Sequence, residues 1–292
     1  MKYCLLFILS ISNLKASLKE GDPPLWNSTD MVSFYHHNSF LQMNWAQDVI
    51  FENHTFKQTE NVIDYGSGDG KITALVSKLV PNGTIKGLDI SSDMVSFSKR
   101  KYPSATYPNL GFYKVTAAEP IPGFVANLDI IYSSCVMHLV QEPEKLLREM
   151  NKSLKSGGKL ILVFPFMDTR TALMRASAEV YSKHGISFPK MSDESNFIRS
   201  TPSGLQTLAE RVGFKTIKVR IKETVNPFIS KREFVDWLEG TLSGNQVIPY
   251  EIRRAVSEQT ADKYLLLSPK DMLEDGSIHY HFPVVEYVGH KF

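Results

Sequence analysis

Cysteine is nearly absent from this chain: its 292 residues include two, Cys4 and Cys135. That count excludes a disulfide scaffold, and no CxxC pair or Cys/His cluster has the spacing of a zinc site, so no metal is expected. Net charge is also lacking. Lys and Arg total 33 against 31 Asp and Glu, a formal charge of +2. No basic run is interleaved with aromatics, which argues against nucleic acid as a partner. The Lys99-Arg100-Lys101 triplet reads as a solvated helix end. Long apolar runs are missing too, so no membrane span is expected. No internal repeat or low-complexity tract is present. What remains is 42% hydrophobic and 22% charged, the composition of an ordinary globular chain that can bury a large core.

The N-terminus admits two readings. Met1-Lys2-Tyr3-Cys4 precedes an apolar run from Leu5 to Ile11 and then small residues, the outline of a signal peptide. The weak positive region and Lys15, which interrupts the cleavage region, speak against it. Residues 1–26 are therefore set apart as a possible signal or leader segment. Asn27-Ser28-Thr29 and Asn53-His54-Thr55 match the glycosylation pattern, which is short enough to recur by chance.

The following residues, 27–292, read as one domain. Residues 31–51 carry Phe34, Leu41, Trp45, Val49 and Ile50 among polar positions, the pattern of a covering amphipathic helix. Strand and helix signals then alternate: strands at Asn61–Tyr65, Thr84–Ile90, Gly111–Val115, Leu128–Ser133 and Lys159–Phe166, and helices at Lys71–Leu79, Met94–Lys101 and Glu142–Leu154. Ser156-Gly157-Gly158 is read as the break before the fifth strand. After Phe166 come helices at Thr169–Lys183 and Ser203–Val212, a strand at Lys215–Val225, a helical insert around Lys231–Leu242 and Pro249–Asp262, and a last strand at Ile278–Lys291. This rhythm predicts an α/β fold: an open, doubly wound Rossmann-like sheet of about seven strands with helices on both faces and the last pair antiparallel. Residues 27–60 would cover the core at 61–166, with 167–202 and 227–275 as lid or substrate-region inserts.

The chemistry is concentrated in Asn61 to Val76, NVIDYGSGDGKITALV. Three glycines follow a buried strand and precede a helix, so the backbone can approach a ligand there and aim free N–H groups at it. A dinucleotide fingerprint would read G-x-G-x-x-G. Here Lys71 follows Gly70 and the match is G-x-G-x-G, which disfavours a dehydrogenase. Asp64 and Asp69 suit a ligand with positive charge, and S-adenosylmethionine carries a sulfonium and an amino group. The second strand ends on Asp89, where a carboxylate can accept from two ribose hydroxyls. Asp89 could instead cap the next helix, a role that Ser91 or Ser92 fills as well.

Val62-Ile63-Asp64-Tyr65-Gly66-Ser67-Gly68-Asp69-Gly70-Lys71-Ile72-Thr73 resembles the first motif of class I S-adenosylmethionine-dependent methyltransferases, in particular the trans-aconitate and juvenile hormone acid methyltransferase group. Gly87-Leu88-Asp89-Ile90-Ser91 with Met94 resembles that group's second motif. Leu128 through Val140 resembles its strand-four motif, and Leu154-Lys155-Ser156-Gly157-Gly158-Lys159-Leu160 its LKPGG turn, with Ser156 in place of proline. Tyr35, Asn38-Ser39 and Gln42 resemble its cofactor-covering helix. The likeness spans residues 31–166 and continues loosely to the end.

The resemblance implies S-adenosyl-L-methionine as cofactor and assigns roles. Tyr35 and Gln42 belong to the segment covering it. Gly66, Ser67 and Gly68 pass its methionine part, whose amino group Asp64 anchors. Asp89 and Ile90 hold ribose and one adenine face, with Met94 nearby, and Ala117 and Ala118 reach adenine. Ser134 and Cys135 line the methyl-transfer mouth. Thr116 stands where the family usually has Asp, leaving Glu119 as an alternative acceptor for the adenine amino group. The implied reaction is in-line methyl transfer to a small-molecule acceptor, with carboxyl O-methylation of an organic or lipid-like acid as first reading. Another N, C or O nucleophile, or a non-catalytic cofactor-binding protein, stays open. His138 is the lone catalytic candidate, weighed against a packed histidine. Arg170, Arg175 and Arg199 are candidate clamps for an acid, and Trp45 and Phe166 candidate mouth residues, with core packing the alternative for Trp45. A monomer is expected. Cofactor supply points to the cytoplasm, or to a secreted or periplasmic location if residues 1–16 act as a signal.

Overall fold

The computed structural model describes residues 32–33, 35–36, 39–116, 126–166, 171–186, 201–243, 248 and 250–292. The leader expected at 1–26 lies outside them, as do Ala117, Ala118, Glu119, Arg170 and Arg199, and of Gln42 only the backbone is described. No helix among the described residues is long and apolar enough to cross a membrane.

Seven strands form one sheet: β1 (Asn61–Tyr65), β2 (Thr84–Asp89), β3 (Leu110–Lys114), β4 (Leu128–Ser134), β5 (Leu154–Pro165), β6 (Phe214–Phe228) and β7 (Ile278–Lys291). Their spatial order is β3-β2-β1-β4-β5-β7-β6. The first five are parallel, and β7 runs antiparallel to both β5 and β6. The helices are α1 (Phe40–Ala46), α2 (Lys71–Ser77), α3 (Ser92–Lys101), α4 (Pro143–Ser153), α5 (Ala172–Lys183), α6 (Pro202–Arg211), α7 (Lys231–Ser243) and α8 (Tyr250–Leu267). This is the expected Rossmann-like α/β sheet with its antiparallel last pair.

Strand residues alternate between two buried faces, as a sheet covered on both sides requires. Val62, Ile85, Ile130, Tyr132, Ile161 and Val163 meet Leu41, Trp45, Ala74, Val76 and Val95 from α1, α2 and α3 on one face. Ile63, Leu88, Ile131, Leu160 and Leu162 meet Leu146, Leu147 and Met150 of α4 and Leu205 and Ala209 of α6 on the other. The helix starts carry local signals. Ser91 accepts a hydrogen bond from the Met94 N–H (3.2 Å) and Thr201 from the Gly204 N–H (3.2 Å), while Pro143 and Pro202 open α4 and α6.

One helix type and one boundary differ from the sequence reading. The covering helix continues beyond α1 as a wider π-type segment, Gln47–Phe51. The Ser156-Gly157-Gly158 stretch does not delay β5, which begins at Leu154. Leu128 pairs with Leu154 and Ile130 already with Lys159, so the extra residues form a bulge. Gly157 enables it with φ +74°.

Beyond β5, the extended ends of β6 and β7 carry an aromatic cap with α7 and α8. Phe234 stacks on Trp237 at 5.3 Å between ring centroids, and Trp237 meets Tyr280 at 5.2 Å. On the α1 side of β7, Glu286 is fully buried. Asn53 Nδ2 donates to it at 2.7 Å, Lys218 Nζ at 3.1 Å and Arg220 Nε at 2.6 Å, and Asn53 Nδ2 also donates to the Val49 carbonyl at 2.6 Å. Burial alone would raise the Glu286 pKa, but Arg220, Asn53 and Lys218 outweigh it and hold the carboxyl below its usual range.

A lowered folded-state pKa gives stability that is present above the unfolded value and lost as pH falls through the folded one. Glu286→Ala should therefore cost about 1–2 kcal/mol near neutral pH, because Lys218 and Arg220 are partly exposed and keep Asn53 Oδ1 and Glu52 as partners. Urea unfolding at pH 7 and at pH 3 should show the gap from wild type shrinking in acid.

Candidate active site

Strand order reverses beside β1. The chain adds β2 and β3 outward on one side, then returns to place β4 on the other. Crevices of this kind, beyond the carboxyl ends of the strands, are where open α/β sheets bind ligands. The loop from β1 enters this crevice with Gly66, Gly68 and Gly70 at φ +81°, +53° and +77°, the left-handed region that favours glycine.

Hydrogen bonds fix this loop to β2. The N–H groups of Gly66 and Ser67 both donate to the Leu88 carbonyl, at 2.7 and 2.9 Å. The Gly68 N–H donates to Asp89 Oδ2 at 2.8 Å, and the Ser91 N–H to Asp89 Oδ1 at 2.8 Å. Asp89 is thus bound to two turns at once. Burial raises its pKa against the stabilising backbone donors of Ser91 and Gly68. Each carboxylate oxygen keeps acceptor capacity beyond these single bonds.

Asp64 lies deeper, in register with Gly87 on β2 and Tyr132 on β4. It is 2% exposed, and the Thr73 hydroxyl donates to it at 2.7 Å. Burial pushes its carboxyl up to about 7, with Thr73 and Tyr132 opposing and the charges of Asp89 and Asp69 adding to the rise. The Tyr132 hydroxyl lies close enough to favour the charged carboxylate but meets no full hydrogen-bond geometry among the described residues.

A narrow cleft of about 20 Å³ opens over these groups, lined by Tyr35, Met43, Asp64, Gly66, Ser67 and Ser134 among others. The Ser67 hydroxyl is buried there without a partner among the described residues. The Tyr35 ring comes within 3.6 Å of where a Cβ on Gly68 would stand. Beyond β2, Ile90 is half exposed, an apolar face at the crevice, while Met94 is buried on α3. A polar orphan, carboxylates with spare acceptor capacity and an exposed apolar face together fit a ligand with hydroxyl, cationic and flat apolar parts.

The end of β4 completes the crevice. The Ser133 hydroxyl donates to the Tyr65 carbonyl at 2.7 Å, fastening β4 to β1. Cys135 is held at φ +62°, at a cost of about 1–2 kcal/mol for a residue with a Cβ. Its N–H donates to the Val163 carbonyl at 2.7 Å. Val136 fills the space that a side chain on Gly66 would need, since a Cβ there would lie 2.0 Å from Val136 Cγ2.

His138 sits in a short 3₁₀ turn, Met137–Leu139, stacked on Phe164 at 6.2 Å between ring centroids. Both ring nitrogens are buried without partners among the described residues, and burial pushes the imidazole down to about 3. Phe166 is partly buried against the α4–α6 face of the core. Trp45 is fully buried, stacked on Phe282 and donating to Thr224 Oγ1 at 2.9 Å, so its ring is enclosed in the core. Arg175 is exposed on α5. A broader hollow between α4 and α6 is bordered by Glu142, Lys145, Arg148 and Leu208 and contains none of the glycine-loop residues.

Asp69 differs from the role first read for it. Its carboxylate faces Lys71 Nζ at 3.4 Å, His36 Nδ1 at 2.9 Å and the Ser39 hydroxyl at 3.1 Å. It has its cation within the chain, leaving Asp64 as the acid of the pair not matched to one. The sequence reading gave His36 no role and used Lys71 only against a dehydrogenase. One signal was present: a lysine opening a helix stands at the positive end of the helix dipole, where a cation is disfavoured unless something nearby holds it.

A family described as Methyltransferase domain matches residues 56–230. A malonyl-[acyl-carrier protein] O-methyltransferase of Paenibacillus sp. (strain JDR-2) is 25% identical over 252 residues, covering 84% of this chain and 88% of that protein. A trans-aconitate 2-methyltransferase of Delftia acidovorans (strain DSM 14801 / SPH-1) is 28% identical over 190 residues, covering 63% and 69%. Among solved structures, the YcgJ protein of Bacillus subtilis aligns with a TM-score of 0.54 at 16% identity, over 88% of this chain and 98% of that one, a likeness of fold.

The loop geometry distinguishes two glycines. Gly66→Ala should destabilise by about 3 kcal/mol, combining left-handed strain with the clash against Val136. At Gly157, φ is also positive but nothing lies within 4 Å of a Cβ, so Gly157→Ala should cost only about 1–2 kcal/mol. Chemical unfolding of both variants measures the difference, and equal losses would contradict it.

Proposed function

This chain belongs to the methyltransferase domain family and is an S-adenosylmethionine-dependent methyltransferase; from that premise we propose that it methylates the carboxylate of a small organic or lipid-like acid. The observation that carries this reading is the enclosure of His138, whose ring nitrogens are both buried beside Phe164 and whose imidazole burial pushes down to about 3. An effective general base titrates near the working pH, and His138 falls far below it. Asp64 does titrate near 7, and we assign it to the amino group of the cofactor. A carboxylate acceptor is already ionised near neutrality and needs no proton removed. The relatives named for malonyl-[acyl-carrier protein] and trans-aconitate act on acids, which supports the same choice.

In this reading the cofactor supplies a methyl group made electrophilic by its sulfonium. The chain's own residues bind, orient and shield. Asp89 offers its remaining acceptor sites to the ribose hydroxyls, and the unpartnered Ser67 hydroxyl and the loop of Gly66 and Gly68 border the methionine part. Ile90 and Met94 give an apolar boundary for adenine, and Ala117 and Ala118 keep that assignment as candidates. Tyr35 and Gln42 belong to the covering segment, and Ser134 and Cys135 to the mouth. The anion of the acceptor needs a cationic or hydrogen-bonding clamp, for which Arg170, Arg175 and Arg199 remain candidates, with Phe166 beside the mouth. Residues 167–202 would close over the pair and expel water, so that alignment rather than proton transfer limits the step. His138, neutral and stacked on Phe164 with both ring nitrogens buried, would act by packing rather than by proton transfer.

The test is a screen of small acids, amines and phenols with labelled cofactor, followed by mass spectrometry. The expected product is a methyl ester that mild base hydrolyses. A base-stable methylated product points instead to another nucleophile and removes the carboxylate reading.

Asp64 supplies a second expectation. Its folded pKa of about 7 lies above the ordinary 3.8. A raised carboxyl makes the ligand-free protein lose stability as pH rises from about 4 to about 7. A cation placed beside it reverses the preference and expels the proton. Calorimetry at pH 6 in buffers of different ionisation enthalpy should show release of up to about one proton on cofactor binding. Asp64→Asn should abolish that release, and a wild type that releases none would refute the assignment.

A further inference from the structure

We infer that Lys71 is a positioning residue that latches the N-terminal segment over the glycine loop and sets how long the cofactor stays bound. The inference rests on the proposed seating of the cofactor in this cleft, and goes beyond it in assigning the control of exchange.

Lys71 opens α2, yet its ammonium turns back toward residues 36–39 and is 24% exposed. It donates to the His36 carbonyl and, at 2.9 Å, to the Ser39 hydroxyl. Asp69 lies alongside at 3.4 Å. Its Oδ1 accepts the Lys71 N–H at 3.3 Å. Its Oδ2 accepts the Ser39 hydroxyl at 3.1 Å and faces His36 Nδ1 at 2.9 Å. The His36 ring in turn lies 5.0 Å from that of Phe97 on α3. One ammonium and one carboxylate of the loop therefore hold a ring, a carbonyl and a hydroxyl of the N-terminal segment.

The held segment also walls the cleft. Tyr35 and Met43 line it on either side of His36 and Ser39, and the Tyr35 ring lies over Gly68. A ligand seated against Ser67 and Asp64 cannot leave past Tyr35 while the segment is fastened. Exchange requires the segment to lift, which breaks charge-assisted hydrogen bonds among groups that are 7%, 16% and 24% exposed. Partly buried charges are weakly screened by salt, so such a latch holds at ordinary ionic strength. Among the described residues the hydrogen-bond partners of Asp64 and Asp89 lie instead in the glycine loop, α2 and the turn before α3.

The experiment compares the full chain with Lys71→Met and Lys71→Arg. It reads S-adenosylmethionine dissociation by stopped-flow displacement, steady-state kinetics, unfolding midpoint, and hydrogen exchange of residues 32–46 by mass spectrometry. Lys71→Met should speed dissociation about tenfold, the scale of losing hydrogen bonds to a charged group. It should raise KM for the cofactor in proportion while moving kcat less than about twofold, and quicken exchange in residues 32–46 with little change in the midpoint. Lys71→Arg should restore slow dissociation. An unchanged dissociation rate in Lys71→Met, with wild type binding normally, overturns the latch and leaves the cofactor assignment standing. Faster exchange throughout the chain with a fallen midpoint also overturns it, as a general structural role. Absence of saturable uptake by wild type overturns the cofactor assignment itself, on which the latch depends.

Discussion

One carboxylate ties the molecule's first two strand-to-helix turns together. Asp89 ends β2, yet it accepts one backbone N–H from the glycine loop after β1 and one from the turn that opens α3. These donors would otherwise be loop groups in a crevice, costly to leave unpaired. Because the sheet order reverses next to β1, the tie lies where the strands' carboxyl ends part. The group that stiffens the loop and the group proposed to receive the sugar are the same side chain. Binding and local stability are coupled there by construction.

Three aspartates within 26 residues meet three fates, and surroundings rather than residue type decide them. Asp89 is held by backbone donors. Asp69 is matched by Lys71 and His36 at the cleft wall. Asp64, enclosed in the sheet with one hydroxyl donor, is pushed toward neutrality. A site for a molecule bearing both hydroxyls and a cation benefits from such a division. An acid already oriented by two backbone donors suits the hydroxyls, while an acid with a single hydroxyl donor suits the cation.

The sheet was legible because its signals are local. The apolar run of Asn61–Tyr65, the alternation of Ile278–Lys291 and the Ser91 cap each specify an element without reference to the remainder. The start of β5 was misread because glycine pairs look the same whether they end an element or let a strand bulge; the pairing with β4 decides, and that is not local. In the site, Gly66 and Asp89 were found by motif. The reason for Gly66 was not, since Val136 comes from seventy residues downstream. Asp69 looked like a ligand group because its partners are Lys71, read only as the first residue of a helix, and His36, brought back from before α1. The enclosure of Trp45 depends on Phe282 and Thr224, far along the chain. Long-range partners are the information that residue type and spacing omit.

The network around Glu286 takes in the side chain of a short glycosylation pattern. Both hydrogens of the Asn53 amide are in use, one on the Val49 carbonyl and one on Glu286, and that nitrogen is the atom to which an oligosaccharide would be joined at Asn53-His54-Thr55. Attachment consumes one of the two hydrogens and sets a bulky sugar between the π-type segment and β7. A sugar on this nitrogen would therefore remove one of the two hydrogen bonds by which Asn53 holds this corner.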